Sequence, residues 1–499
     1  MGGILMDAMM NIDTYLRKKL KEKHLQIEDL VARSSASKST IYRLLIGAQK
    51  PSKKLENEIV NILNLNYTEQ QELHYYFSIS DVDSNIIESR EAVYNFLFKK
   101  ESHQPHKIEL VYYDNEKYIR TYDNILENVL AASKEDNFTC QFKMINCIQR
   151  EIIVPLATLV TNLLDNNSSC SIEHLINFST HDYKDNINSL ANIAPLLTFG
   201  NYSLKYKEEE NVSKSGFFHD FLILHYSYNN KNGNTKKMNL SITFLPESLS
   251  SCYVINENNK SVLDFFGRNY DSLKEKYTPA LSSRKSLLEY IGTIIELFHK
   301  NDSVLFRSDP ALCRIPLSVY RSILQRTPIE DFVKFFIEEE HKEKSIETHI
   351  EELLGQAKLV EESTYVNKQL DIYTKSGMAE FAYSGLINDY PEFLPPLNKE
   401  EVKTILESIK SRDKDPKDPF NFLILKGSYA DEQLSLFAGN NHCLLFEKYF
   451  NSHTPFCIIN HEKLSSIFTD FAHHYVPAMM SIPQNEAYNY IDYLIEKYC

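Results

Sequence analysis

The stretch Ser37-Lys38-Ser39-Thr40-Ile41-Tyr42-Arg43-Leu44-Leu45 constrains this chain more than any other. Ile41, Leu44 and Leu45 fall at i, i+3 and i+4, so the segment reads as a short helix with one apolar face to bury. The same spacing turns Lys38, Ser39, Tyr42 and Arg43 outward. A helix with two cations, a hydroxyl and a phenol on its free side can lie in a DNA groove. Ser37 suits the N-cap, because its hydroxyl can accept a bond from an orphan amide two or three residues on. Gly47 can take the left-handed conformation that closes the helix.

The flanking residues fit that use. Ile12, Leu16 and Leu20 mark one face of a basic helix, and Ile27, Leu30 and Val31 mark a second, shorter one. Ser34-Ser35-Ala36 is only long enough for the tight turn of a helix-turn-helix, in which one helix braces the next across the DNA backbone. Pro51-Ser52 opens a fourth helix with Leu55, Ile59, Ile62 and Leu63 inward, and Thr68 to Leu73 begins a fifth that ends near Ile79.

The order Leu16, Leu30, Ser37 to Arg43, then Gly47-Ala48-Gln49-Lys50-Pro51-Ser52, resembles the Cro/C1-type (Xre) helix-turn-helix of phage repressors and many bacterial regulators. The resemblance covers residues 12–66. It implies base reading by Lys38, Ser39 and Arg43, with Tyr42 beside them. Phosphate contacts would come from Arg17, Gln26, Lys50, Ser52 and Lys53. Three positions depart from the family pattern. Ser35 replaces the usual turn glycine, at a mild cost. Ile27 replaces the phosphate-clamping glutamine, which leaves Gln26 as the substitute. Leu45 replaces an acidic residue, which implies an apolar patch for another part of the protein to cover.

Charge distribution points the same way. Residues 1–66 carry 11 Lys and Arg against 7 Asp and Glu, while the other 433 carry 43 against 61. A basic head is drawn to phosphate and an acidic body is repelled, so the polarity orients the encounter. A bundle that only contacted protein would not need Lys38 and Arg43 exposed together with Lys50, Lys53 and Lys54 nearby.

The rest of the chain reads as a large α/β body with no cofactor or metal motif. Residues 1–79 form the head and 80–90 a polar linker; 91–300 form an α/β sensor region, 301–372 a helical connector, and 373–499 a second α+β region for sensing or dimerisation. Strand and helix alternate from Lys107 to Lys207, which argues for a layered sheet. This alternation resembles the phospholipase-D-like sensor domains attached to some bacterial and archaeal regulators. Phe218 to Tyr226, Met238 to Phe244 and Ser251 to Ile255 follow as an antiparallel meander. Residues 262–300 turn helical, with Leu287, Ile291, Ile294 and Phe298 in one stripe. Thr327-Pro328-Ile329-Glu330 carries a capping-box signature that launches a long helix through Leu354. The block Phe422 to Leu425, Phe456 to Asn460, Ile467 to Phe471 echoes Phe221 to Leu224, Cys252 to Asn256, Val262 to Phe266. Duplication of one module and chance likeness of strand-prone sequence explain this echo equally well.

Catalytic signatures are weak throughout. His461-Glu462-Lys463 is like the His-x-Lys of phospholipase-D-like enzymes, but Asp470 follows too late and the counterpart Asn258-Asn259-Lys260 has no histidine. A covalent phosphodiesterase needs a nucleophile and a general acid, so no such activity is expected. His473-His474, His341 with His349, and His219-Asp220 lack the spacing of a metal or nucleophile motif. Cysteines 140, 147, 170, 252, 313, 443, 457 and 499 stand singly in apolar surroundings and read as reduced core thiols. No Gly-x-Gly or Gly-Lys-Ser/Thr phosphate loop occurs. With no signal-peptide pattern and no long apolar run, the expectation is a cytoplasmic, dimeric, bacterial regulator. It would bind double-stranded operator DNA, respond to a small-molecule or peptide effector, and not be an enzyme. A pheromone-responsive regulator and an enzyme-like body targeted through the head are the alternatives.

Overall fold

The first apolar stripes close into a five-helix bundle: α1 (Ile12–Glu22), α2 (Ile27–Arg33), α3 (Lys38–Leu45), α4 (Lys53–Leu63) and α5 (Tyr67–Ser78). Leu16, Leu20, Leu30, Ile41, Leu44, Ile59, Leu63 and Leu73 are its buried centre. Polar caps set its boundaries. Ser37 Oγ accepts from Thr40 N at 3.2 Å, and Ser52 Oγ accepts from Leu55 N at 3.3 Å. Asn66 and Glu69 form a reciprocal capping box at the start of α5. His24 and Asn64 take left-handed φ values where α1 and α4 end. The computed structural model describes residues 12–46, 48–79, 82–99, 109–111, 122–165, 169–197, 199, 201–209, 220–245, 248–255, 259–283, 302–327, 346–364, 366–389, 394–430, 434–439, 443–448 and 456–499.

The expected linker over 80–90 is shorter than its polarity suggests. Asp83 accepts from Asn85 N at 2.8 Å and launches α6 (Ser84–Phe98), which buries Arg90, Val93 and Leu97. Beyond it comes a first sheet unit: β1 (Glu109–Val111), α7 (Tyr122–Ala132), β2 (Asp136–Ile145), α8 (Arg150–Asp165), β3 (Ser169–Ser179), α9 (Tyr183–Leu197), β4 (Tyr202–Glu209), β5 (Phe221–Asn229), β6 (Thr235–Leu245), β7 (Ser248–Ile255), α10 (Lys260–Lys274) and β8 (Thr278–Ser283). A second unit has β9 (Ser303–Phe306), α11 (Leu317–Arg326), α12 (Ile346–Thr364), β10 (Gln369–Thr374), α13 (Lys375–Ser384), α14 (Lys399–Lys414), β11 (Phe420–Leu425), β12 (Leu434–Gly439), β13 (Cys443–Lys448), β14 (Phe456–Asn460), α15 (Glu462–Asp470), a π-helix (Phe471–Met480) and α16 (Gln484–Tyr498). The whole is an all-α head on a large α+β body.

Both units share one strand order. In the first, β2, β3 and β4 run parallel, β5, β6 and β7 extend outward from β2 antiparallel, and β8 pairs antiparallel with β4. In the second, β9, β10 and β11 run parallel, and β12, β13 and β14 extend from β9 in the same alternating way. Ser481 makes an antiparallel bridge to Leu425, in the place that β8 holds beside β4. The two units thus share strand order and sense as well as the sequence echo. β8 also pairs with β14 and so joins the two sheets into one fourteen-strand order.

Each unit buries both sheet faces, as parallel strands require. Phe142, Ile172, Ile176 and Leu204 pack under Ile152, Leu156, Ile187 and Leu190 of α8 and α9. The reverse face meets Phe266, Tyr270 and Leu273 of α10 and neighbouring Tyr277. In the second unit Tyr373, Phe422 and Ile424 pack under α11, α14 and α16, while Phe306, Ile372 and Leu425 meet α15 and the π-helix.

Four further expectations change. Residues 301–372, read as a helical connector, contain β9, which pairs with both β10 and β12. Ile467 to Phe471, grouped with a strand block, is helical, whereas Val262 to Phe266 is helical as expected. β8 was not expected at all. Thr327 Oγ1 donates to Ile323 O and closes α11, whereas the rest of its capping-box signature and the Leu287 to Phe298 stripe lie outside the described residues.

Candidate nucleic-acid interface

The turn between α2 and α3 is built from polar contacts. Ser35 donates both its backbone N–H (2.7 Å) and its hydroxyl (2.9 Å) to Glu58 on α4. These bonds, the backbone one first, hold the Glu58 carboxyl below its usual pKa. Ser35 is not among the described non-glycine residues with positive φ, so the missing turn glycine carries no backbone strain. The serine instead ties α4 to the turn. No sequence pattern marked Glu58; its partner lies 23 residues earlier.

α3 presents the expected face. Ile41, Leu44 and Leu45 are buried, and Lys38, Ser39, Tyr42 and Arg43 are exposed together on the other side. Lys38 Nζ sits 5.8 Å from the Tyr42 ring centroid, and Ser39 Oγ lies 2.9 Å from Ser37 Oγ. Leu45 is core, only 2% exposed, so the expected apolar patch there does not exist; Ile46, 74% exposed, is the apolar residue left in solvent.

The flanking candidates divide. Gln26 is exposed at the N-cap of α2, where its backbone N–H donates to Asp29 Oδ2 at 2.8 Å. Lys50 and Lys53 are exposed, and Ser52 holds the N-cap of α4. Gln26 and Ser52 thus stand at helix N-termini, where backbone dipoles favour an anion. Arg17 is already engaged: its Nε donates to Asp13 at 2.8 and 2.9 Å. Gly47 lies outside the described residues.

The other candidates serve structure. His461 is fully buried; its Nδ1 accepts from Leu464 N at 3.3 Å and caps α15. Burial pushes its pKa down, against the pull of Glu208, whose carboxylate is 3.5 Å from Nε2. Lys463 Nζ donates to Thr180 O at 3.1 Å, tying the second unit to the first. Asp470 receives two bonds from Arg90, at 2.7 and 3.0 Å. The motif His461-Glu462-Lys463 is therefore a helix cap and a tether across the seam between the sheets. His473 and His474 are exposed on the π-helix, and His219, His341 and the side chain of His349 lie outside the described residues. Cys140, Cys147 and Cys170 are buried thiols. Among the described residues no three His, Cys, Asp or Glu side chains group to hold a metal, and no helix is long and apolar enough to cross a membrane.

The head is docked on the body through α5. Tyr75 meets Tyr475 of the π-helix edge to face at 5.4 Å, and the Arg90 guanidinium lies 5.9 Å from the Tyr75 ring centroid. No family model and no curated protein matches the chain.

Proposed function

We propose that this protein is a sequence-specific, DNA-binding transcriptional regulator of bacterial type that acts as a dimer. One observation carries the reading: Lys38, Ser39, Tyr42 and Arg43 share the solvent face of a capped helix whose other face is buried, behind a tight turn held by Ser35 and Glu58. Placed in a major groove, Arg43 reaches the two acceptors of guanine and Lys38 reaches a neighbouring base, while Ser39 and Tyr42 fit between them. Gln26, Lys50, Ser52 and Lys53 meet phosphates, and Arg17 joins them if it turns from Asp13. One head covers a half-site, so two copies on a near-palindromic operator supply useful affinity. The body holds the effector response and the dimer contact. Its two mixed sheets resemble no array of paired helices, which weakens the pheromone-receptor alternative.

Selection of DNA from a random pool, with the full chain and with Lys38→Ala/Arg43→Ala, tests this. The expected result is a two-fold site whose base preferences fall by ~1–3 kcal/mol per lost contact in the double variant. No enriched sequence with the unaltered chain at low salt overturns the reading.

A further inference from the structure

Where α5 meets the second sheet unit, the two enclose a cleft of about 190 Å³. The head contributes Tyr67, Thr68 and Gln71; the body contributes Lys426, just past the end of β11, and an apolar wall of Leu423, Ala478 and Ile482. Two of the polar lining groups are engaged, Ser481 Oγ donating to Pro477 O at 3.1 Å and Gln484 Nε2 to Asp413 Oδ2 at 2.8 Å; those from the head are free. Among the described residues, the side chains of Tyr67, Thr68 and Gln71 have no hydrogen-bond partner. Lys426 Nζ reaches only the carbonyl of Met479, at 3.5 Å, with no carboxylate at ion-pair distance. Among the body lysines, Lys143 pairs with Asp271 at 3.1 Å and Lys274 with Glu173 at 2.8 Å, whereas Lys205, like Lys426, reaches only a carbonyl, that of Lys274 at 3.5 Å.

We propose that this cleft binds a small monocarboxylic acid, its carboxylate on Lys426 and its hydrocarbon body on the apolar wall. Gln71 and Thr68 supply neutral donors to the second carboxylate oxygen, and the Tyr67 ring closes the rim. Charge selects a monoanion. Lys426 is exposed, and partial desolvation in the cleft lowers its ammonium pKa, which Glu72 and Glu486 oppose from farther away. A monocarboxylate gives the lysine the partner it lacks, whereas a dianion such as phosphate meets two glutamates. The cleft, about 190 Å³, has room for a compact acid.

The location gives binding a consequence. One wall belongs to the last helix of the head and the other to the body, so a bound acid interacts with both and shifts the head between docked and undocked positions. That consequence rests on the DNA-binding reading; the binding itself does not.

The chain contains no tryptophan, and Tyr67 is 55% exposed, so Tyr67→Trp in the full-length protein places a single tryptophan, excited selectively beyond the tyrosine band, on the rim. Benzoate is the probe, benzamide its uncharged isostere and inorganic phosphate the dianion control. The expected result is a saturable emission change with benzoate, at least tenfold weaker for benzamide and phosphate. Lys426→Met should abolish it and Lys426→Arg should retain it. Calorimetric titration of the unaltered chain with benzoate is the companion measurement, independent of the reporter. Equal affinity for benzoate and benzamide, insensitivity to Lys426→Met, or no saturable signal in either measurement overturns the proposal. Tighter binding of the peptide Ala-Ala-Phe than of benzoate also overturns it, by assigning the cleft to a chain terminus. None of these readouts involves DNA, so their failure is distinguishable from failure of the DNA selection.

Discussion

The strands β3 and β10 hold the same place in two sheets of one strand order, and each buries an ionisable side chain by opposite means. In β3, His174 is fully buried; its Nδ1 accepts from Tyr202 Oη at 2.9 Å and its Nε2 faces Asn146 O at 3.4 Å. Burial pushes its pKa down to about 4, so the ring is neutral. In β10, Asp371 is also fully buried, but Arg314 binds it through Nε at 2.9 Å and Nη2 at 2.7 Å, and Tyr373 Oη donates to it at 2.7 Å. A second buried pair, Arg307 with Asp389 at 2.7 Å, adjoins the same sheet. The first unit solves burial by keeping the group uncharged, the second by fixing charge against charge. The teaching is that a repeated topology leaves the choice of core polarity free, provided each group is satisfied.

The largest effect expected from this difference lies in the second unit. Asp371→Ala leaves Arg314 buried without its carboxylate, and breaking a buried pair from one side costs ~3–5 kcal/mol. Urea unfolding should show that loss, and Arg314→Met/Asp371→Leu should recover most of it. A cost below about 1 kcal/mol for the single change would mean that water reaches the pair and that the two units are less different than their geometry states.

The first unit answers to pH instead. The unfolded chain protonates His174 below about 6.5 while the folded chain resists until about 4, so stability is complete above the upper value and falls as pH drops between the two. At pH 5 the loss from this group is ~2 kcal/mol by linkage. Comparing urea midpoints at pH 7 and pH 5 for the unaltered protein and His174→Gln isolates it. The variant should lose correspondingly less on acidification, and equal losses would show that His174 takes up its proton in the folded state.

The head was legible in sequence because its determinants are local. Ser37 caps α3 three residues ahead of the amide it binds, and Ile41, Leu44 and Leu45 declare the buried face by spacing alone. The alternation from β2 to β7 was legible for a like reason, since apolar runs are separated by polar breaks. β8 was not: Thr278-Pro279-Ala280-Leu281-Ser282-Ser283 has no alternation, and it is a strand because β4 and β14 offer edges on either side. Ile467-Phe468-Thr469-Asp470-Phe471 misled because three apolar residues in so short a segment fit a strand or a helix equally. The cleft was invisible for a different reason: Gln71, Lys426 and Ile482 come from three separated segments that only the fold brings together.

The smallest expected effect concerns the helices that follow the two meanders. α15 and the π-helix are covered by other parts of the protein: Phe468 meets Phe96 of α6 at 5.9 Å, and Phe471 meets Phe98 at 6.3 Å. In the first unit α10 buries Phe266 but leaves Phe265 47% exposed. If that face is solvent in the working protein, Phe265→Ser gives up a half-exposed ring and its edge contact with Phe266 at 6.2 Å and costs ~1 kcal/mol or less. Sedimentation velocity of the full chain should likewise be unaltered. A loss of 2 kcal/mol or more, or a fall in oligomeric state, would mean that α10 is covered too. The two units would then differ in what covers this helix, the head and α6 in one and a neighbouring surface in the other, rather than in whether it is covered.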